Sequence, residues 1–269
     1  MHLLKKYVLF PIEKKVLIFS LWVLVASFAA DFANLPRHYY FVRKDNIFNV
    51  FFVKWGWAWL LVFLGPFIWY SAQVYTINNR SMMNRHCSRL AVATVIWYLC
   101  VAVFVRVQRY TGFCTKTSHE SLEMCVSSGG RWVSFDISGH CFLLIYSCLL
   151  ISEELVVFRR WDNLRKLLEQ ASDASPPPQV THLSMESVEY CLMLHRELTP
   201  RIRALFICSC LLNLLWEFML VVTTLYYHSF AQKFVGAAIA IGCWFFTYRV
   251  WYPLPCSPGL PGFGAVNYQ

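Results

Sequence analysis

Apolar residues fall in six long blocks separated by polar connections, and none of the blocks alternates with the period of two typical of a membrane β-barrel. At 1.5 Å per residue, about 20 mostly apolar residues cross the ~30 Å hydrocarbon layer of a bilayer as a helix. The stretches at roughly 16–35, 47–70, 88–107, 135–158, 204–228 and 234–252 meet that length. Lys14 and Lys15 precede the first block and Ala29 and Ala30 close its apolar centre, a pattern that also suits a secretory signal. The run continues through Phe32 and Leu35, however, and reads as a retained span. The predicted class is all-α, a polytopic membrane protein with six transmembrane helices bundled as a single domain over 1–269.

Composition agrees with that class. The chain is 58% apolar and 14% charged, against about 45–50% and about 25% for soluble domains, and one globular core does not hide such an excess. The net charge of +9 sits mostly beside the apolar blocks, which points to membrane topology and lipid headgroups and away from nucleic acid. Fourteen Lys and Arg flank one set of span ends and eight the other, so both termini are expected in the cytosol. The connection 108–134 then faces the lumen with Cys114 and Cys125, the only cysteines on the oxidising side, and a disulfide between them is expected. The other nine cysteines read mainly as small buried hydrophobes.

The longest cytosolic connection is 159–203. There Trp161, Leu164, Leu167 and Leu168 share one helical face opposite Asp162, Arg165, Lys166 and Glu169, which predicts an amphipathic helix in the interface. Pro176, Pro177 and Pro178 break it. His182, Cys191 and His195 follow, but their spacing matches no zinc site, and no metal is expected.

Ionisable groups inside a hydrocarbon layer are costly, so each is a candidate for function. Asp136, His140, Ser147 and Glu154 recur at helical spacing in the fourth block, as do Asn213, Glu217, Thr224 and His228 in the fifth. The topology brings His140 and His228 to the same membrane surface. Asp136, one turn before His140, is expected to accept its ring proton. Glu217, about 16 Å deeper than His228 at 1.5 Å per residue, reads as glue between helices, while Lys54 and Asp31 receive no chemistry. Two histidines beside a membrane suit phosphoryl transfer, in which one imidazole attacks phosphorus and the other protonates the leaving oxygen. Zinc would want a third strong ligand that no motif supplies.

At these residues the sequence resembles the fat storage-inducing transmembrane family. The likeness runs through NVFFVKWGWAWLLVFLGPFI at 49–68, IWYLC at 96–100, YTGFC at 110–114, RWVSFDISGHCFLL at 131–144, ISEE at 151–154, YYHSFAQKFVG at 226–236, and WYP with SPGLP at 251–261. The resemblance implies a multi-pass protein of the endoplasmic reticulum membrane, required for normal lipid-droplet formation. It further implies a cofactor-free diphosphatase, similar to lipid phosphate phosphatases. Such an enzyme would cleave fatty acyl-CoA on the luminal side to acyl 4′-phosphopantetheine and adenosine 3′,5′-bisphosphate. His140 matches the histidine of the SGH motif, supported by Asp136 and Ser138, and His228 that of the second motif. The sequence departs from the wider phosphatase pattern. Ile137 stands in place of proline before SGH, Val221 and Val222 stand in place of a Ser-Arg pair, and no Arg-Pro occurs. The basic phosphate clamp is therefore missing from its usual places, and Arg106, Arg109, Arg131 and Lys233 are candidates by location. The rival reading is a non-catalytic protein that binds diacylglycerol and triacylglycerol and partitions them toward budding droplets.

Overall fold

A computed structural model describes residues 2–116, 121–171, 183–266 and 268, and these are predominantly helical. The chain opens with α1 (His2–Val8) and, after Pro11, α2 (Ile12–Phe32). A π-helical turn over Phe48–Val53 leads into α3 (Gly56–Tyr75). Asn79 caps α4 (Arg80–Tyr110), its side chain accepting from the Met82 N–H at 3.2 Å. The connection that follows holds β1 (Phe113–Cys114), α5 (Leu122–Ser127) and β2 (Trp132–Val133). Here β1 pairs antiparallel with β2, and Cys114 is bonded to Cys125. Next come α6 (Gly139–Glu154), a 3₁₀ turn over Leu155–Phe158, and α7 (Trp161–Ala171). The last two helices are α8 (Met185–Tyr226) and α9 (Phe230–Phe245), the latter prolonged by a π-helical turn at Phe246–Trp251. Six helices among the described residues are long and apolar enough to cross a membrane: Ile12–Phe32, Gly56–Tyr75, Arg80–Tyr110, Gly139–Ala171, Met185–Tyr226 and Phe230–Trp251.

One helix is surrounded by the others. The sequence of α6, GHCFLLIYSCLLISEE, is apolar on nearly every face until its last turn, and a helix of that kind belongs in a core. Of its most apolar stretch 94% is buried, against 11% for α4 at the periphery, and α9, α8 and α3 are its main neighbours. Its two ends carry His140 and Glu154.

The helices run past the apolar blocks that predict them. Capped by Asn79, α4 begins at 80 and not near 88, and α8 begins at 185 and not near 204. With 42 residues, α8 is about 63 Å long at 1.5 Å per residue, so its first turns stand beyond any ~30 Å apolar layer. That projection changes the fate of α7. Its apolar face, expected at the membrane interface, is covered by protein instead. Trp161 is fully buried, stacks on His195 with ring centroids 5.0 Å apart, and donates its Nε1–H to Thr199 Oγ1 at 3.0 Å. Cys191 is buried against Val74 O, so it and His195 serve packing. Pro176, Pro177, Pro178 and His182 lie outside the described residues.

The polar positions within the bundle find partners on other helices. Glu217 accepts from Asn213 Nδ2 at 2.9 Å and faces Lys15 Nζ of α2 at 3.7 Å, while Lys15 also donates to Ser152 Oγ of α6 at 3.0 Å. At the Glu154 end, Arg89 grips Glu154 through two bonds of 2.7 Å, and Tyr248 Oη donates to the same carboxylate at 2.6 Å. His86 accepts from Arg89 at 2.7 Å and passes its own Nε2–H to Phe263 O at 2.7 Å, tying the C-terminal segment under the bundle.

Candidate active site

His140 is the second residue of α6, and three elements converge to start the helix there. Ser138 caps it by accepting from the Cys141 N–H at 3.3 Å. The Ser138 N–H in turn donates to Gln232 O of α9 at 3.1 Å. Gly236, one turn further along α9, lies so close that a Cβ there would sit 2.6 Å from Ser138 O. Only a glycine admits that approach.

The imidazole of His140 is held from the far side by Asn49, which lies in the π-helical turn and is 5% exposed. Asn49 Nδ2 donates to Lys44 O at 2.8 Å, which leaves Asn49 Oδ1 as the atom 2.9 Å from His140 Nε2. An amide oxygen only accepts, so Nε2 carries the proton and the lone pair of the neutral ring is on Nδ1. Sequence reasoning missed Asn49 because the partners are 91 residues apart. The only hint was an asparagine at the edge of an apolar block.

His228 stands between α8 and α9. Tyr227 ends the first helix and Ser229 caps the second, with Gln232 closing a capping box, so the chain reverses direction within a few residues. The reversal places His228 at φ 57°, in the left-handed region, a conformation that costs a non-glycine residue of order 1–3 kcal/mol and clusters at functional sites. Beside it, Tyr227 donates to Val42 O, and burial together with the nearby Asp45 carboxylate pushes its phenol up, so it stays a donor. His228 and His140 lie at the same end of the bundle, because the Ser138 N–H before His140 donates to Gln232 O in the first turn of the helix that follows His228.

Asp136 corrects an expectation. It lies 3.7 Å from His228 Nδ1, and the described ring partner of His140 is Asn49. The physical reason is local. Helical spacing between 136 and 140 supposes a helix across both, but α6 begins only at Gly139 and residues 134–138 are non-helical. The carboxylate thus lies on the Nδ1 side of the His228 ring.

The basic candidates separate as well. Lys233 is buried, donates to Thr224 O at 2.8 Å and lies 3.6 Å from Asp31 Oδ1, while Asp31 Oδ2 accepts from the Phe230 N–H at 2.9 Å. Both residues brace the α8–α9 reversal. Arg106, Arg109 and Arg131 are exposed, and no described contact joins their side chains to either imidazole. Lys54, by contrast, closes the π-helical turn that carries Asn49, the residue that meets His140. Among the described residues, no three His, Cys, Asp or Glu side chains converge as metal ligands.

Comparison with known proteins bears on this arrangement. The family described as "Fat storage-inducing transmembrane protein" matches residues 37–248, a range that includes Asn49, Lys54, Asp136, His140 and His228. A Drosophila melanogaster protein named acyl-coenzyme A diphosphatase FITM2 is 38% identical over 279 residues, covering 100% of this chain and 65% of that protein. Proteins of the same name from Caenorhabditis elegans and Homo sapiens are 36% and 35% identical, over 92% and 89% of this chain and 82% and 85% of their own lengths. The chain thus spans just under two thirds of the Drosophila relative and more than four fifths of the other two. No solved structure matches.

Proposed function

The chain belongs to the fat storage-inducing transmembrane protein family and is a multi-pass transmembrane protein, and from that premise we propose that it hydrolyses the diphosphate of fatty acyl-CoA. The products would be acyl 4′-phosphopantetheine and adenosine 3′,5′-bisphosphate. The names of the relatives support the substrate. The observation that carries the reading is that two imidazoles lie at one end of the bundle in different surroundings, His228 with the Asp136 carboxylate 3.7 Å from its Nδ1 and His140 with Asn49 Oδ1 2.9 Å from its Nε2.

In this reading His228 Nε2 attacks one phosphorus of the diphosphate, and the bond from that phosphorus to the bridging oxygen breaks. A phosphohistidine forms and the second phosphate departs. Protonated His140 gives its Nδ1 proton to the departing oxygen, then takes a proton from the water that attacks the phosphohistidine. Water's oxygen ends on phosphorus and His228 is restored. The Asp136 carboxylate, 3.7 Å from Nδ1, balances the positive ring that forms during attack, the electrostatic role a carboxylate plays beside a histidine in many hydrolases.

The orientation belongs to the same proposal. The six helices cross the endoplasmic reticulum membrane with the histidine end at the lumen, and both termini and residues 159–203 on the cytosolic side. An apolar groove of about 440 Å³ between α2 and α9, lined by Val23, Leu24, Phe234 and Ala237, runs from the α9 end nearest His228. It suits the acyl chain of the substrate, and equally a chain of diacylglycerol or triacylglycerol.

The test is turnover of acyl-CoA by the purified protein in detergent with chelator present. Wild type is expected to release adenosine 3′,5′-bisphosphate, and His228→Ala is expected to release none. If both His228→Ala and His140→Ala retain wild-type turnover, or if only added metal restores it, the reading fails and the lipid-binding one replaces it.

A further inference from the structure

The proposed reaction leaves one chemical need unmet. A diphosphate carries at least two negative charges to a site whose described side chains include the carboxylate of Asp136, and phosphoryl transfer depends on cations that hold and neutralise the transferring group. The cationic positions expected from sequence do not reach it, since Lys233 is held by Asp31 and Thr224, and Arg106, Arg109 and Arg131 are exposed without a described link to the imidazoles.

Lys54 meets the need by position. It ends the π-helical turn that carries Asn49, and its backbone N–H donates to Asn49 O at 2.9 Å. Turns of this kind insert a residue to re-aim side chains and recur at functional sites. The frame around it is rigid. Trp216 Nε1 donates to Phe52 O at 3.0 Å, Trp59 Nε1 to Phe51 O at 2.9 Å, and Val53 is buried. The side chain is free by comparison. Among the described residues the Lys54 ammonium meets no carboxylate, as is also true of Lys6, Lys14, Lys44 and Lys166, and Lys54 differs from these in closing the turn that carries Asn49. Lys54 is exposed, so no packing role accounts for it.

We propose that Lys54 is the substrate-binding cation of this site, reaching past Asn49 to hold the diphosphate of the acyl-CoA between His140 and His228. The inference rests on the diphosphatase reading above. A single ammonium acting as a point charge also fits the absence of the Arg-rich clamp that lipid phosphate phosphatases use.

The test compares wild type, Lys54→Gln and Lys54→Arg in detergent, reading kcat and KM for acyl-CoA, inhibition by inorganic pyrophosphate and thermal unfolding. Lys54→Gln is expected to lower kcat/KM by about 10²-fold, the loss typical of one charge-stabilising donor, and to weaken pyrophosphate inhibition by about tenfold. Lys54→Arg keeps the charge and is expected within a few-fold of wild type, and both variants should unfold at the wild-type temperature. If Lys54→Gln matches wild type in turnover and in pyrophosphate inhibition, or unfolds early, the inference is overturned while wild-type turnover and its loss in His228→Ala still stand. If wild type itself leaves acyl-CoA intact, it is the diphosphatase reading that fails.

Discussion

The two ends of α6 solve opposite problems with the same kind of residue. Glu154 and His140 are both ionisable groups on the central, most buried helix, and by cost alone they are equal candidates for chemistry. At the Glu154 end every demand is met inside the protein, by Arg89 with two bonds, Tyr248 with one and His86 passing the network to Phe263. At the His140 end the demands are left partly open. His140 has one partner, His228 is strained at φ 57° with its carboxylate at 3.7 Å, and Lys54 faces no acid. A saturated network binds nothing further and holds helices together, whereas an unsaturated one has donors and acceptors to offer a ligand. Saturation, and not burial or charge, separates the polar residues at the Glu154 end from those to which the proposed reaction gives work.

Substitutions sharpen that contrast. The largest effect is expected from His228→Ala, which removes the proposed nucleophile. Turnover should fall by a factor approaching 10⁶, as for loss of a covalent nucleophile elsewhere, with no drop in unfolding temperature. At the other end Arg89→Leu leaves Glu154 buried without its cation and is expected to cost about 3–5 kcal/mol of stability, read as early thermal unfolding in detergent. Turnover per folded molecule should be unchanged. If Arg89→Leu stays folded but inactive, the division of labour between the ends is wrong.

Gly236→Ala probes the scaffold under the histidine end. The added methyl meets the Ser138 carbonyl at 2.6 Å, and overpacking of that kind costs about 1–3 kcal/mol. Because Ser138 starts α6, both stability and turnover should decline together. A variant with wild-type values in both would show that the α6–α9 contact is not needed to place His140. Asp136→Asn is the mildest. At 3.7 Å and with its side chain 45% exposed, the carboxylate is expected to contribute about tenfold through orientation of His228. A loss comparable to that of His228→Ala would instead make Asp136 an obligatory member of the site.

Much of this protein is determined by the sequence alone. Six apolar blocks of spanning length fix an all-α membrane bundle, because lipid offers no partner for backbone groups and a helix satisfies its own. The candidate histidines and the pair Cys114 and Cys125 were legible for related reasons, since a costly residue in an apolar wall and two thiols on one face of the topology stand out without any contact map. What tertiary structure decided is which partner each polar group takes. Spacing assigned Asp136 to His140 by supposing a helix that begins only at Gly139, and it was silent on Asn49, which meets His140 across 91 residues of chain. Periodicity reports which side of a helix a residue occupies. It carries no information on which helix stands opposite, and in a bundle the opposite helix settles whether a buried charge is braced, as at Glu154, or left open, as at His140.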